Sequence, residues 1–220
     1  MPRRPRELVA GGIYHVFARG NRREPIFFDD DDRLGYLAIW GSVAEELEWR
    51  CLAYCLMDNH VHHLVETPKP NLSEGVQVAH GSYGRHFNDT HGKSGHLFQG
   101  RFGSTRARTP GVLWYFASYL ALNPVRANIC EMPEQYPWSS HAAAVGAVQG
   151  PRWLDRERLL SFYAPPRREG TTPASGLEPY KQIVEAIRIM GAAGFEPADE
   201  HMSARRQAAR PSSGVSAPAS

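Results

Sequence analysis

The stretch Leu56–Glu66, LMDNHVHHLVE, carries three histidines in four positions among residues that otherwise read as buried strand. Met57-Asp58-Asn59 has the composition of a tight turn. Trp49–Leu56 is therefore expected as one strand and His60–Glu66 as the next, ended by Pro68-Lys69-Pro70. Upstream, Gly12–Arg19 alternates and is rich in strand formers. The acidic block Asp29–Asp32 can cap and start a helix, with Leu34, Leu37, Ile39, Val43 and Leu47 as an imperfect apolar stripe. Downstream, Leu72, Val76, Ala79, Tyr83 and Phe87 recur at helical spacing. Gly75, Gly81 and Gly84 weaken that helix by about 1 kcal/mol each against alanine, so packing must hold it. His96–Arg106 reads as a fourth strand or extended arm. Pro110 suits a first helical turn, and Leu113, Phe116, Ala117 and Leu120 form the apolar face of a helix expected to end before Pro124.

The order strand, helix, strand, strand, helix, strand, helix predicts an α+β fold, a ferredoxin-like split βαβ arrangement with an antiparallel sheet. Helices would cover one sheet face and leave the other free for a site or partner. Residues 1–7 form a basic N-terminal arm with Arg3, Arg4 and Arg6, and residues 8–130 the main domain. Residues 131–190 read as a helical C-terminal appendage. Its segments are His141–Val145, Trp153–Phe162 and the repeat Ile183, Val184, Ile187, Met190. Residues 191–220 turn to Ala, Pro, Ser, Gly and Arg, the composition of a disordered tail.

A chain of 220 residues can bury a real core. It contains no apolar run long enough for a membrane span, and its first residues do not read as a secretory signal. Three cysteines, Cys51, Cys55 and Cys130, are too few and too odd in number for a disulfide framework. Cys51 and Cys55, four apart, would share a strand face as buried free thiols. A reducing cytoplasm is the expected compartment. The net charge of +2 excludes little, but arginines crowd the first 25 positions, a weak sign of a polyanionic partner.

On a strand, His60 and His62 point one way with Leu64 and Glu66, whereas Val61, His63 and Val65 point the other. His-x-His on a strand can supply two ligands to a divalent ion; a pair of satisfied histidines is the plainer alternative. His63 interrupts the apolar face and reads as a core or edge residue. Tyr115, Tyr119 and Asn123 lie at steps of four, opposite the apolar stripe of their helix. The Asn123 carbonyl could complete a metal shell, with the Tyr119 phenol one turn away. Aromatic packing on a helix surface explains the same spacing.

Four segments, GGIYHVFARGNRREPIF, AYCLMDNHVHHLVETP, GHLFQGRF and SYLALNPVRANIC, occur in an order and spacing that resemble the single-tyrosine HUH transposases, and within them the REP-associated tyrosine transposases. The resemblance covers roughly Leu8 to Cys130. It implies a ferredoxin-like fold and metal-dependent cleavage and joining of single-stranded DNA, at hairpin-forming sequences. His60-Val61-His62 would be the histidine–hydrophobic–histidine motif, Tyr119 the nucleophile and Asn123 the third ligand of a magnesium or manganese ion. Tyr115 falls outside the Tyr-x-x-x-Asn-Pro pattern. His63 stands where the family usually has an apolar residue, and Asp58 where it usually has proline.

Such an enzyme needs a basic track for phosphates. Arg19, Arg22, Arg23, Lys93, Arg101, Arg106 and Arg126 are the candidates, each weighed against a solvated role; the resemblance favours Arg19 and Arg101. Phe98 and Phe102 could stack on bases, although burial suits them better. The family includes monomers and homodimers, and the sequence selects neither. The rival readings are a hairpin-DNA-binding protein without turnover, a phosphohydrolase that activates water, and an RNA-binding ferredoxin-like module.

Overall fold

A computed structural model describes residues 7–165 and 175–192. The N-terminal Arg3, Arg4 and Arg6 and nearly all of the expected tail lie outside the described residues. The strands are β1 (Gly12–Arg19), β2 (Arg50–Met57), β3 (His60–Thr67) and β4 (Gly103–Arg106), in the order β2-β3-β1-β4 with every neighbour antiparallel. Helices α1 (Asp30–Glu46) and α2 (Leu72–His91) make the two crossovers, α3 (Pro110–Arg126) follows β4, and α4 (His141–Ala144), α5 (Arg156–Ser161) and α6 (Leu177–Ala192) complete the chain. This is the expected α+β, ferredoxin-like sheet. Residues through Glu185 belong to one compact unit, and the end of α6 falls in a second. Among the described residues no helix is long and apolar enough to cross a membrane.

The acidic block acts as expected. Asp29 is the N-cap of α1 and accepts from Asp32 N–H at 2.9 Å, a contact worth about 1 kcal/mol. The buried face of α1 differs from the aliphatic stripe. Leu34 is 55% exposed, and the core is met by Tyr36, Trp40, Val43 and Ala44. The rings win because their polar ends have partners. Trp40 Nε1–H donates to Cys51 Sγ at 3.3 Å, and the Tyr36 hydroxyl lies 2.9 Å from His63 Nε2. Packing also explains one helical glycine. A Cβ on Gly75 would lie 2.5 Å from Leu47 and the Trp49 ring, so α2 approaches the α1–β2 connection only because it is absent there.

Four expectations are corrected. Cys51 and Cys55 do not share a face, because the β2–β3 register shifts between Cys51 and Ala53. The extra residue inverts the alternation, so Cys51 meets Trp40 while Cys55 pairs across from His62. Strand β4 is shorter than His96–Arg106. Gly95 and Gly100 adopt positive φ (91° and 65°), and the segment between them only crosses the end of β1, with Gln99 N–H donating to Arg19 O at 2.8 Å. Helix α3 runs through Pro124 to Arg126. Proline forfeits one backbone donor, but Leu120, Ala121, Leu122, Asn123 and Pro124 are all buried, which offsets it. Finally, the second sheet face is not free. Helices α1 and α2 cover the face of Tyr14, Val16, Val61 and His63, whereas α3 packs on the other, with Phe116 4.9 Å from the His15 ring.

The segment after α3 runs along the outer edge of β2. Leu56 N–H donates to Trp138 O, Ser140 N–H to Tyr54 O, and Asp155 N–H to Cys51 O. It satisfies an edge strand that would otherwise be open to pairing. Arg158 fixes it with two bonds to the Glu66 carboxylate, at 2.8 and 2.9 Å.

Candidate active site

The β2–β3 turn is set by its neighbours. Asp58 Oδ1 accepts from Arg33 Nη2 at 2.6 Å and its carbonyl accepts from Ile26 N–H, while Asn59 O accepts from Gly20 N–H. These bonds hold the start of β3 against the end of β1, so that Arg19 faces His60 in register. Strand alternation then does what the sequence implies. His63 turns inward, 1% exposed, stacked on Trp40 with centroids 3.6 Å apart. His60 and His62 turn to the α3 face, their ring centroids 5.0 Å apart.

Helix α3 brings the remaining groups. Asn123 is buried on α3 and its side chain acts on His60, opposing the lowering of that imidazole. One turn earlier, Tyr119 is half-buried and meets His62 edge-on at 5.4 Å, with the Arg126 guanidinium 5.5 Å from its ring centre. Tyr115 lies another turn away, its ring 6.2 Å from that of Tyr119.

A residue that the sequence reading treated only as strand completes the group. His15 on β1 is 7% exposed and places Nε2 2.9 Å from His62 Nδ1. Only the β1–β3 register reveals it: His15 is on the face of Phe17 and Arg19, and nothing local to β1 marks that face as functional. Asn59, expected only as part of the turn, also joins the group, with Oδ1 2.7 Å from His60 Nδ1.

Electrostatics keep these rings neutral. Burial lowers His15 to about 3. Burial and then Arg19 lower His60 to about 4, against the opposing Asn123 side chain. Burial and the neighbouring imidazoles hold His62 well below the usual range. Neutral imidazoles carry the lone pair that a metal requires. Both Nδ1 atoms are engaged by protein groups, His60 at Asn59 Oδ1 and His62 at His15 Nε2, so each Nε2 is the nitrogen that could offer its lone pair to an ion. The residues therefore fit a divalent ion held by two imidazoles and the Asn123 amide oxygen. Among the described residues no cluster of three His, Cys, Asp or Glu side chains could hold an ion, so such a centre depends on the asparagine.

The basic residues divide. Arg19, at the end of β1, acts electrostatically on both His60 and His62. Arg22 and Arg23 are exposed in the following turn, where Arg23 O accepts from Asn59 Nδ2 at 3.0 Å. Arg101 is exposed two residues after Gln99, which bonds Arg19. Lys93 is exposed in the loop leading to Leu97, whose carbonyl accepts from Asn21 N–H. Arg106 is placed elsewhere. It pairs with Tyr14 in register, on the α1–α2 face, and its guanidinium lies 3.7 Å from Glu7. Phe98 and Phe102 are packed rather than presented: Phe98 stacks on His80 at 4.4 Å and Phe102 is 8% exposed.

Residues 9–110 match the model of a transposase family described as IS200-like. None of the curated proteins compared matches the chain. Among solved structures, a REP-associated tyrosine transposase bound to a REP hairpin superposes with a TM-score of 0.57 at 18% identity, covering 69% of this chain and 89% of that one. A transposase structure from Deinococcus radiodurans R1 also matches, at 18% identity over 58% of this chain and 92% of that one, with a TM-score of 0.39. The first shows a shared fold; the second carries no argument at that score. The family match spans β1 to β4 and includes Arg19, His60 and His62, but it ends before Tyr119 and Asn123, which rest on the geometry of α3. Over residues 9–110, a little under half of the chain, the sequence is similar to the IS200-like transposase family.

Proposed function

We propose that this protein nicks and rejoins single-stranded DNA with Tyr119 as nucleophile, acting at hairpin-forming sequences. The observation that carries the reading is the convergence of His60, His62, Asn123 and Tyr119 from two elements distant in sequence, on the sheet face covered by α3. The hairpin in the REP-associated transposase structure supports the choice of DNA. A divalent ion, magnesium or manganese, held by His60, His62 and Asn123 would neutralise a nonbridging phosphate oxygen. The Tyr119 oxygen attacks phosphorus as the bond to the 3′ oxygen breaks, giving a 5′-phosphotyrosine and a free 3′-hydroxyl. A 3′-hydroxyl attacking that link restores a phosphodiester and releases the tyrosine, so joining needs no nucleotide cofactor. The Arg126 guanidinium lies 5.5 Å from the Tyr119 ring centre, and Arg19, Arg22, Arg23 and Arg101 surround the end of β1 where the DNA backbone would run.

The test is a denaturing gel with labelled hairpin DNA and manganese, beside Tyr119→Phe and His62→Ala. Label retained on the wild-type protein and lost in both variants is expected. Cleavage without a protein adduct would point to a water nucleophile. Tight binding with neither adduct nor cleavage, with either metal and across a hairpin library, would leave a DNA-binding protein without turnover.

A further inference from the structure

The two candidate imidazole ligands are held by different partners, and each partner meets the same ring atom, Nδ1. His60 Nδ1 lies 2.7 Å from Asn59 Oδ1. The orientation of that amide is fixed, because Asn59 Nδ2 donates to Arg23 O at 3.0 Å. The oxygen must therefore face His60. An oxygen can only accept, so His60 carries its proton on Nδ1 and its lone pair on Nε2. His62 Nδ1 lies 2.9 Å from His15 Nε2, a hydrogen bond in which one ring donates and the other accepts. If His62 donates, its Nε2 keeps a lone pair; if His15 donates, His62 Nε2 carries a proton and cannot ligate. The His15 ring is packed at 5.3 Å from Phe17, 4.9 Å from Phe116 and 5.8 Å from Tyr119, which fixes its position against His62.

We infer that His15 and Asn59 are positioning residues that set the tautomers of His62 and His60, so that both imidazoles present Nε2 to a divalent cation. His15 acts as acceptor for His62 Nδ1–H and carries its own proton on Nδ1. This inference rests on the metal reading above and adds residues that touch neither ion nor DNA. Such outer partners commonly control metal affinity by about 10–100-fold. It also gives the buried histidine of β1 a purpose, since burying a second imidazole beside the first is otherwise only a cost.

The experiment uses the full-length protein with two readouts. Long-range proton–nitrogen NMR of metal-free, histidine-labelled protein at neutral pH reports which ring nitrogen is protonated, and manganese titration followed by electron paramagnetic resonance reports affinity. In the wild type, His60 and His62 should both show a protonated Nδ1. His15→Phe keeps an aromatic ring in the packed site but removes the acceptor. It should abolish the single tautomer of His62 and weaken manganese binding by about 10–100-fold. His15→Gln, whose oxygen can accept, should restore both. Asn59→Ala should loosen His60 alone. A protonated Nε2 on His62 in the wild type overturns the inference, as does wild-type manganese affinity in His15→Phe. If neither wild type nor His62→Ala binds manganese, the metal reading fails, and the tautomers of the metal-free protein still decide the roles of His15 and Asn59. Loss of fold in His15→Phe is recognised from its amide spectrum, and His15→Gln against wild type then carries the comparison: unchanged tautomer and affinity support an acceptor role, and a weakened site with a mixed His62 tautomer refutes it.

Discussion

Acidification to pH 5.5 should cost this protein much of its stability, well above the pH at which carboxylates protonate. Among the described residues four histidines are buried, at 1–7% exposure: His15, His62, His63 and His141. Burial pushes all four down, His15 to about 3 and His141 to about 4, with His62 and His63 well below the usual value. A histidine whose folded pKa is depressed binds its proton in the unfolded chain first. Its contribution is therefore complete above about pH 6.5 and is lost as pH falls toward the folded value. At pH 5.5 each unfolded imidazole has gained about 1.4 kcal/mol that its folded counterpart has not. Four together approach roughly 6 kcal/mol, comparable with the entire stability of many domains of about 5–15 kcal/mol. Urea unfolding by circular dichroism at pH 7.5, 6.5 and 5.5, in the presence of a chelator, reads this directly. His141→Gln removes one titrating group that lies off the candidate site. It should reduce the drop between pH 6.5 and 5.5 by about 1 kcal/mol. A total loss below about 1.5 kcal/mol over that range would show that these rings take up protons in the folded state and would refute the burial argument.

Opposite effects are expected from two glycines of α2. Gly75→Ala forces a Cβ to 2.5 Å from Leu47 and Trp49 and should destabilise by about 1–3 kcal/mol, whereas Gly81→Ala meets nothing closer than Arg85 Nη1 at 3.8 Å and should stabilise by about 1 kcal/mol, both by urea unfolding. Arg158→Ala leaves the Glu66 carboxylate without its bidentate partner and should cost about 1–3 kcal/mol, with faster hydrogen exchange at the Asp155 amide that pairs with β2. Arg101→Ala should weaken single-stranded DNA binding and lower its salt slope by about 1, while Arg106→Ala, on the far face beside Glu7, should leave both unchanged in fluorescence anisotropy titrations.

The strands, the crossovers and the turn at Asp58-Asn59 are legible because their signals are local: alternation, helical spacing, an acidic cap. What stays hidden depends on register. The bulge that separates Cys51 from Cys55 leaves no mark in RCLAYCLM, yet it decides which thiol faces Trp40 and which faces the candidate site. The continuation of α3 through Pro124 is hidden in the same way, because the proline rule is local and the burial of Leu120 to Asn123 that overrides it is tertiary. His60, His62, Tyr119 and Asn123 are readable as a motif, but His15 is 45 residues from His60 and becomes part of the group only through strand pairing. The basic candidates show the same limit: Arg19 and Arg106 are alike as sequence, and the register of β1 with its two neighbours puts them on opposite faces.

That single alternation also ties stability to chemistry. His62 and His63 are adjacent, so one must face α1 and the other α3. His63 is stacked on Trp40 and held by Tyr36; His62 is held by His15 and met by Tyr119. Both are neutral for the same reason, the removal of water from either side of one strand. A slip of β3 by one residue would exchange them and bury His60 and His62 against Trp40. The His63–Tyr36 hydrogen bond, with the Trp40 stack around it, therefore works as a register pin for the site across the sheet. Replacing His63 by leucine removes that pin while keeping the face apolar. If the pin matters, the damage appears as a disordered His62 in the nitrogen spectrum and lower DNA cleavage. If hydrophobic alternation alone sets the register, both stay as in the wild type and the relief of the unpartnered His63 Nδ1 is the only change.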